Sequence, residues 1–239
     1  MTIKSYFAPF FLGALIAVFC TPAEAQSTIF NIPSTDVLAK GKRYVEFDFI
    51  SHLESHDDGG FQSYIPRGVF GLGRGVEVGF NLSFTDSGTP NQPVELQPNL
   101  KYQFYTNENH GLAATFGGIA YLPVANRTPG IDSFGLVYSN FSKKVKSNYG
   151  PRMTVGAYGL LGRDDGLGSK AGAIVGFEQP LHSRVSFVTD WLSGTNRFGY
   201  VTPGLAFTLP KNSVLYTGYS IGNTGRKNNG LFVYYGITF

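Results

Sequence analysis

The chain has 239 residues, a formal net charge of +3 and no run of like charges, so it lacks the basic stripe of a nucleic-acid binder. Beyond residue 25 nothing approaches the roughly 20 apolar residues of a membrane-spanning helix, and mean hydropathy is only −0.04, which excludes a helical membrane protein. Charged residues make up 15% against about 25% in soluble domains, while aromatics reach 15% and glycines number 31; this is β composition with little charge.

At the N-terminus Lys4 precedes a mostly apolar run from Tyr6 to Phe19, followed by Pro22 and the small-residue site Ala23-Glu24-Ala25. A charged start, a short apolar region and an A-x-A site predict an export signal over 1–25, cleaved to leave Gln26 first. The run is short for a spanning helix and has no basic stop-transfer flank. The sole cysteine, Cys20, follows the bulky Phe19, which disfavours lipidation. It leaves with the signal, so the mature chain is expected to use no disulfide, thiol chemistry or cysteine-bound metal. Residues 26–41 are assigned to a periplasmic N-terminal segment preceding the barrel.

From there the sequence alternates apolar and polar residues between clusters of Gly, Pro, Asn, Asp and Ser, with no 3.6-residue period. The predicted strands are 42–52, 61–72, 76–85, 94–105, 111–122, 133–143, 152–161, 170–179, 184–193, 198–209, 214–222 and 230–239. Each is near the 9 to 11 residues that a tilted strand needs to cross a bilayer, and an even number suits closure. The clearest pair sets Val76, Val78, Phe80, Leu82 and Phe84 against Glu77, Gly79, Asn81 and Ser83, then Leu96, Leu100, Tyr102 and Phe104 against Glu95, Gln97, Asn99, Lys101 and Gln103. A one-residue slip would put those charges in lipid. Pro98 and Pro203 fall inside strands, which calls for bulges or shifted strand ends.

Connections after even-numbered strands are short, as at Gly73-Arg74-Gly75, and most others are longer and polar, an asymmetry of outer-membrane barrels with both termini periplasmic. The stretch 145–151 is long for that side. The predicted fold is therefore all-β: a closed antiparallel transmembrane barrel of about twelve strands over 42–239. A soluble sandwich or lipocalin-like barrel is the alternative, but its polar face should carry far more charge. Tyr105, Tyr121, Trp191, Phe198 and Tyr200, near strand ends, are expected in interfacial girdles. Leu231, Val233, Tyr235, Ile237 and Phe239 alternate to the last residue; Tyr235, Ile237 and Phe239 resemble the terminal signal read by the barrel assembly machinery.

The four histidines, His52, His56, His110 and His182, show no metal-ligand spacing, and His182-Ser183 lacks a group to orient the ring. Arg163-Asp164-Asp165-Gly166 lacks a calcium-loop repeat, and Gly68, Gly71, Gly73 and Gly75 precede no helix that would bind phosphate. No catalytic residue, metal or cofactor is expected. By parity the inward charges are Glu46, Asp48, Glu77, Glu95, Glu178 and Asp190 against Arg67, Lys101 and Arg152. They line a water path or lock the interior by salt bridges. If they line a pore, it should favour cations, and changing Glu77 and Glu95 to Gln should weaken that preference without unfolding the barrel.

The segments Asn31 to Phe49, Arg67 to Phe84, Pro98 to Tyr105 and Gly111 to Val124, with the tail from Asp190 to Phe239, resemble the outer-membrane β-barrel transporter family named for the MetA pathway of phenol degradation. The resemblance implies an outer-membrane channel or transporter in a Gram-negative cell envelope, with outer-membrane lipid and lipopolysaccharide as surroundings. It names no cargo. Passive movement of small molecules is the first expectation; an enzyme acting on lipid, or a structural or recognition barrel with a plugged lumen, are the alternatives.

Overall fold

The computed structural model describes residues 28–126, 132–162, 168–225 and 228–239. Twelve strands follow in chain order: β1 (Arg43–His52), β2 (Phe61–Gly73), β3 (Val76–Asp86), β4 (Val94–Asn107), β5 (Leu112–Ala125), β6 (Phe134–Lys144), β7 (Arg152–Gly162), β8 (Ala171–His182), β9 (Val185–Leu192), β10 (Tyr200–Leu209), β11 (Ser213–Gly222) and β12 (Gly230–Thr238). Every strand pairs antiparallel with its sequence neighbours, and β12 returns to β1 from Tyr44↔Thr238 to Ser51↔Leu231, so the sheet is a closed barrel without an edge. The seam runs to the last residue, where Phe239 N–H donates to Arg43 O at 2.8 Å.

Alternation decides what each face meets. Phe80, Phe84, Leu100, Tyr102 and Phe104 point outward and are exposed, while Glu77, Asn81, Gln97 and Lys101 between them are buried in the interior. Val45, Phe47, Phe116, Val137, Phe141, Val155 and Trp191 continue the outward apolar surface around the barrel. An exposed apolar band of this extent is foreign to a water-soluble surface.

The prolines are accommodated without bulges. β4 keeps one register to β5 on both sides of Pro98, from Leu96↔Leu122 to Asn99↔Ile119, and leaves out the two pairs between. β10 does the same toward β11 at Pro203. A missing N–H removes bonds toward one neighbour only, so local unpairing suffices. The bulges sit elsewhere, between Gly71 and Gly73, Val94 and Glu95, Gln103 and Tyr105, and Pro180 and His182. At the β2–β3 turn Gly73, Arg74 and Gly75 all take positive φ, +87°, +53° and +77°, a left-handed run that two glycines make accessible.

Two expectations are corrected. Tyr121 is buried, and Tyr121, Phe198 and Tyr200 line an interior cavity rather than an outer girdle; Tyr105 and Trp191 are exposed. The N-terminal stretch read as preceding the barrel lies, from Thr28 onward, inside it. Its residues join an apolar interior cluster with Val69, Leu136, Ile174, Val188, Phe232 and Tyr234, so the interior is less polar than the alternation suggested.

Candidate functional site

The internal segment enters at the end of the barrel that carries the short turns. There Gly41 N–H donates to Gly71 O at 2.9 Å and Gly71 N–H donates to Lys42 O at 3.0 Å. A Cβ on Gly71 would lie 2.2 Å from Ala39 O, so the wall needs glycine where the segment passes. Further in, Leu38 N–H donates to Glu77 Oε2 at 2.9 Å, and Gln103 Nε2 donates to Thr35 O at 2.7 Å. Thr35 and Ser142 share a hydroxyl hydrogen bond of 2.5 Å, and Asn140 Nδ2 donates to Pro33 O at 2.6 Å.

Past mid-barrel the segment folds back on itself, with Thr28 bridging Pro33. At the tip the consecutive N–H groups of Phe30, Asn31 and Ile32 converge on Asp190 Oδ2 at 3.0, 2.6 and 3.1 Å. Successive backbone amides aimed at one anionic oxygen form a strong charge-assisted arrangement. Apolar contacts complete it. Phe30 packs against Phe232 with ring centroids 4.7 Å apart, and Ile29 and Ile32 occupy the space that a Cβ on Gly176 would need. Buried backbone without a regular ladder is tolerable here because wall side chains supply its partners.

The nine charged residues that alternation turns inward are all in the interior, each with a polar partner. Arg67 Nη1 lies 2.8 Å from Glu46 and 3.3 Å from Asp48; Lys101 Nζ lies 2.9 Å from Glu77; Arg152 pairs with Glu178 at 2.5 Å. Glu46 and Arg67, Glu77 and Lys101, and Arg152 and Glu178 are direct cross-strand partners, so register alone brings them together. Two charges that alternation cannot assign complete the set. Asp36 comes from the internal segment to bind Arg152, and Arg197 comes from the β9–β10 loop to bind Glu95 through both nitrogens at 3.1 and 2.8 Å. Neither is in a strand, so no period marks it.

The segment has a cavity on each side. One of about 420 Å³ opens toward the long loops, lined by Phe30 and Asn31 from the tip and by Ser63, Asn81, Tyr121 and Phe198. The other, about 360 Å³, lies toward the short turns, where Asp36, Ser142 and Arg152 line it. Above the first, the β9–β10 loop folds inward. Asn196 is buried and donates to Tyr158 Oη and Ser169 O, both at 2.7 Å. The guanidinium of Arg197 sits 5.1, 5.3 and 5.2 Å from the ring centres of Tyr121, Phe134 and Phe198. Tyr121 and Phe134 stack at 4.6 Å.

The histidines are scattered. His52 Nδ1 bonds Asn229 O, His56 opens the short turn His56–Asp58 capped by Ser55, and exposed His182 Nδ1 lies 3.2 Å from Ser183 Oγ. Among the described residues no three His, Cys, Asp or Glu side chains gather as a metal site. Ala23, Ala25, Gln26 and the stretch 163–166 lie outside the described residues.

No family model matches the chain, and no curated protein matches it. Among solved structures it is similar to an outer membrane channel from Pseudomonas putida F1, with 13% identity, a TM-score of 0.49, and coverage of 85% of this chain and 97% of that one. CdiB from Acinetobacter baumannii is similar at 8% identity and a TM-score of 0.37, covering 90% of this chain and 65% of that one.

Proposed function

We propose that the chain is an exported outer-membrane β-barrel channel for passive movement of small molecules, and that residues 28–40 are its internal plug. The exposed apolar outer face supports residence in a bilayer, where a closed barrel pairs its strands without leaving an edge. The observation that carries the reading is the seating of the tip on Asp190 with a cavity on either side of the tethered segment. The family resemblance of the sequence adds a transporter reading and no cargo. A conduit is preferred to an enzyme acting on lipid because the inward charged groups are paired with the plug and with one another.

Planar-bilayer recording tests this. The intact barrel should conduct little or intermittently, and a chain lacking 28–40 should conduct steadily. A folded barrel that conducts in neither form would instead be the second reading, a plugged structural or recognition barrel, which the same tip contacts favour.

A further inference from the structure

The inward-folded β9–β10 loop carries chemistry that neither the plug nor the barrel wall requires. Glu95 is on β4, Tyr121 on β5 and Phe134 on β6, while Arg197 springs from between β9 and β10. In a closed ring of twelve strands β4 and β5 stand four to six strands from β9 and β10, so the Arg197 contacts hold the loop across the mouth of the cavity of about 420 Å³. Three aromatic faces and one carboxylate around a guanidinium are what recognition of an organic cation requires: ring quadrupoles attract the cation and the carboxylate fixes it. The side chain of Arg197 is 38% exposed, against 10%, 3% and 15% for Arg67, Lys101 and Arg152. Of these four interior cations it is the most exposed.

We infer that Tyr121, Phe134 and Glu95 of the wall, with Phe198 of the loop closing over them, form a binding site for an organic cation of the guanidinium or alkylammonium class. Arg197 fills this site from within, so a free cation competes with the loop that lids the chamber. The inference deepens the channel reading by giving its outer chamber a ligand class and rests on that chamber being a passage. A tethered occupant acts at an effective concentration in the millimolar range or above, so a free competitor is used at about 0.1 M, well above that range.

The test reads access to the chamber. Ser63 lines the cavity and is buried, and Ser63→Cys introduces a near-isosteric thiol; Thr85→Cys, beside it at 2.9 Å, is a second reporter if the first does not fold. A neutral maleimide is used so that the reagent itself does not compete for the rings. With heat-modifiable migration confirming folded barrels, Arg197→Ala should raise the labelling rate at least tenfold, and Glu95→Gln severalfold. Guanidinium chloride at about 0.1 M, compared with equal sodium chloride, should raise the rate of the Arg197 parent and leave Arg197→Ala unchanged. Equal rates in parent and Arg197→Ala overturn the lid. A guanidinium effect that is absent, or alike in both, overturns the cation site. Labelling does not depend on transport: a thiol that opens in a barrel that never conducts keeps the cation site and removes the channel, and a conducting barrel with an indifferent thiol does the reverse.

Discussion

Asp190 shows how one interior residue can fix the state of the barrel. Its Oδ2 accepts from three consecutive amides of the plug tip, so Asp190→Ala leaves three donors, those of Phe30 and Ile32 buried, without their acceptor. At about 1–3 kcal/mol per buried unsatisfied group, the tip should lose on the order of 3 kcal/mol or more. Hydrogen exchange at Phe30 to Ile32 should then quicken by at least a hundredfold while the strands keep their protection. Gly176→Leu reaches the same end by sterics, because its side chain needs the space of Ile29 and Ile32, whose Cδ1 atoms lie 2.6 and 2.8 Å from even a Cβ at that position. Both variants should expose the tip to protease without altering heat-modifiable migration. Glu77 is a different probe from the one that alternation suggested. It is buried, pairs with Lys101 and accepts from Leu38 N–H, so Glu77→Gln perturbs the plug as well as the electrostatics of the wall.

At the scale of elements, the strands were legible because their period is two and their faces meet opposite surroundings; each observed strand lies within three residues of its predicted span at either end. Inward charge was legible for the same reason, and three of the ion pairs follow once neighbouring strands are set in register. The plug was not. It is an irregular segment whose partners are distant wall residues, such as Asp190, 160 positions from Phe30, and no local pattern encodes such contacts. Its traces were present as inward-facing apolar residues, Ile174, Val188 and Phe232, and as inward glycines at 176 and 204, where Phe30 and the isoleucines fit. At the other end of the chain, Phe239 pairs with Arg43 across the seam, and its side chain is exposed on the outer face. Deleting it should reduce folded, heat-modifiable barrel in the outer membrane, since closure loses its last rung and the assembly machinery its terminal aromatic. Normal folding and localisation of that variant would remove the C-terminal signal.

For the whole molecule, the outer face makes a claim that stability can check. Leu100 is exposed at the middle of β4, and in a lipid-embedded barrel Leu100→Arg should cost about 2–4 kcal/mol in denaturant titrations in bilayers. In a water-soluble barrel the same change would be near neutral. The interior acids outnumber the bases, so a barrel freed of its plug should favour cations, as reversal potentials in a salt gradient would show. The position of the plug also bears on how the molecule is made. The segment that fills the interior is translated before every strand that surrounds it, and its seat draws on β3, β4, β6, β8, β9 and β10, so that seat does not exist until most of the cylinder has formed. Tethered at Gly41, where φ is +81°, the segment must either be wrapped by the wall as the β1–β12 seam zips or swing in afterwards through the short-turn mouth. The segment translated ahead of every strand is thus among the last parts of the barrel to become native.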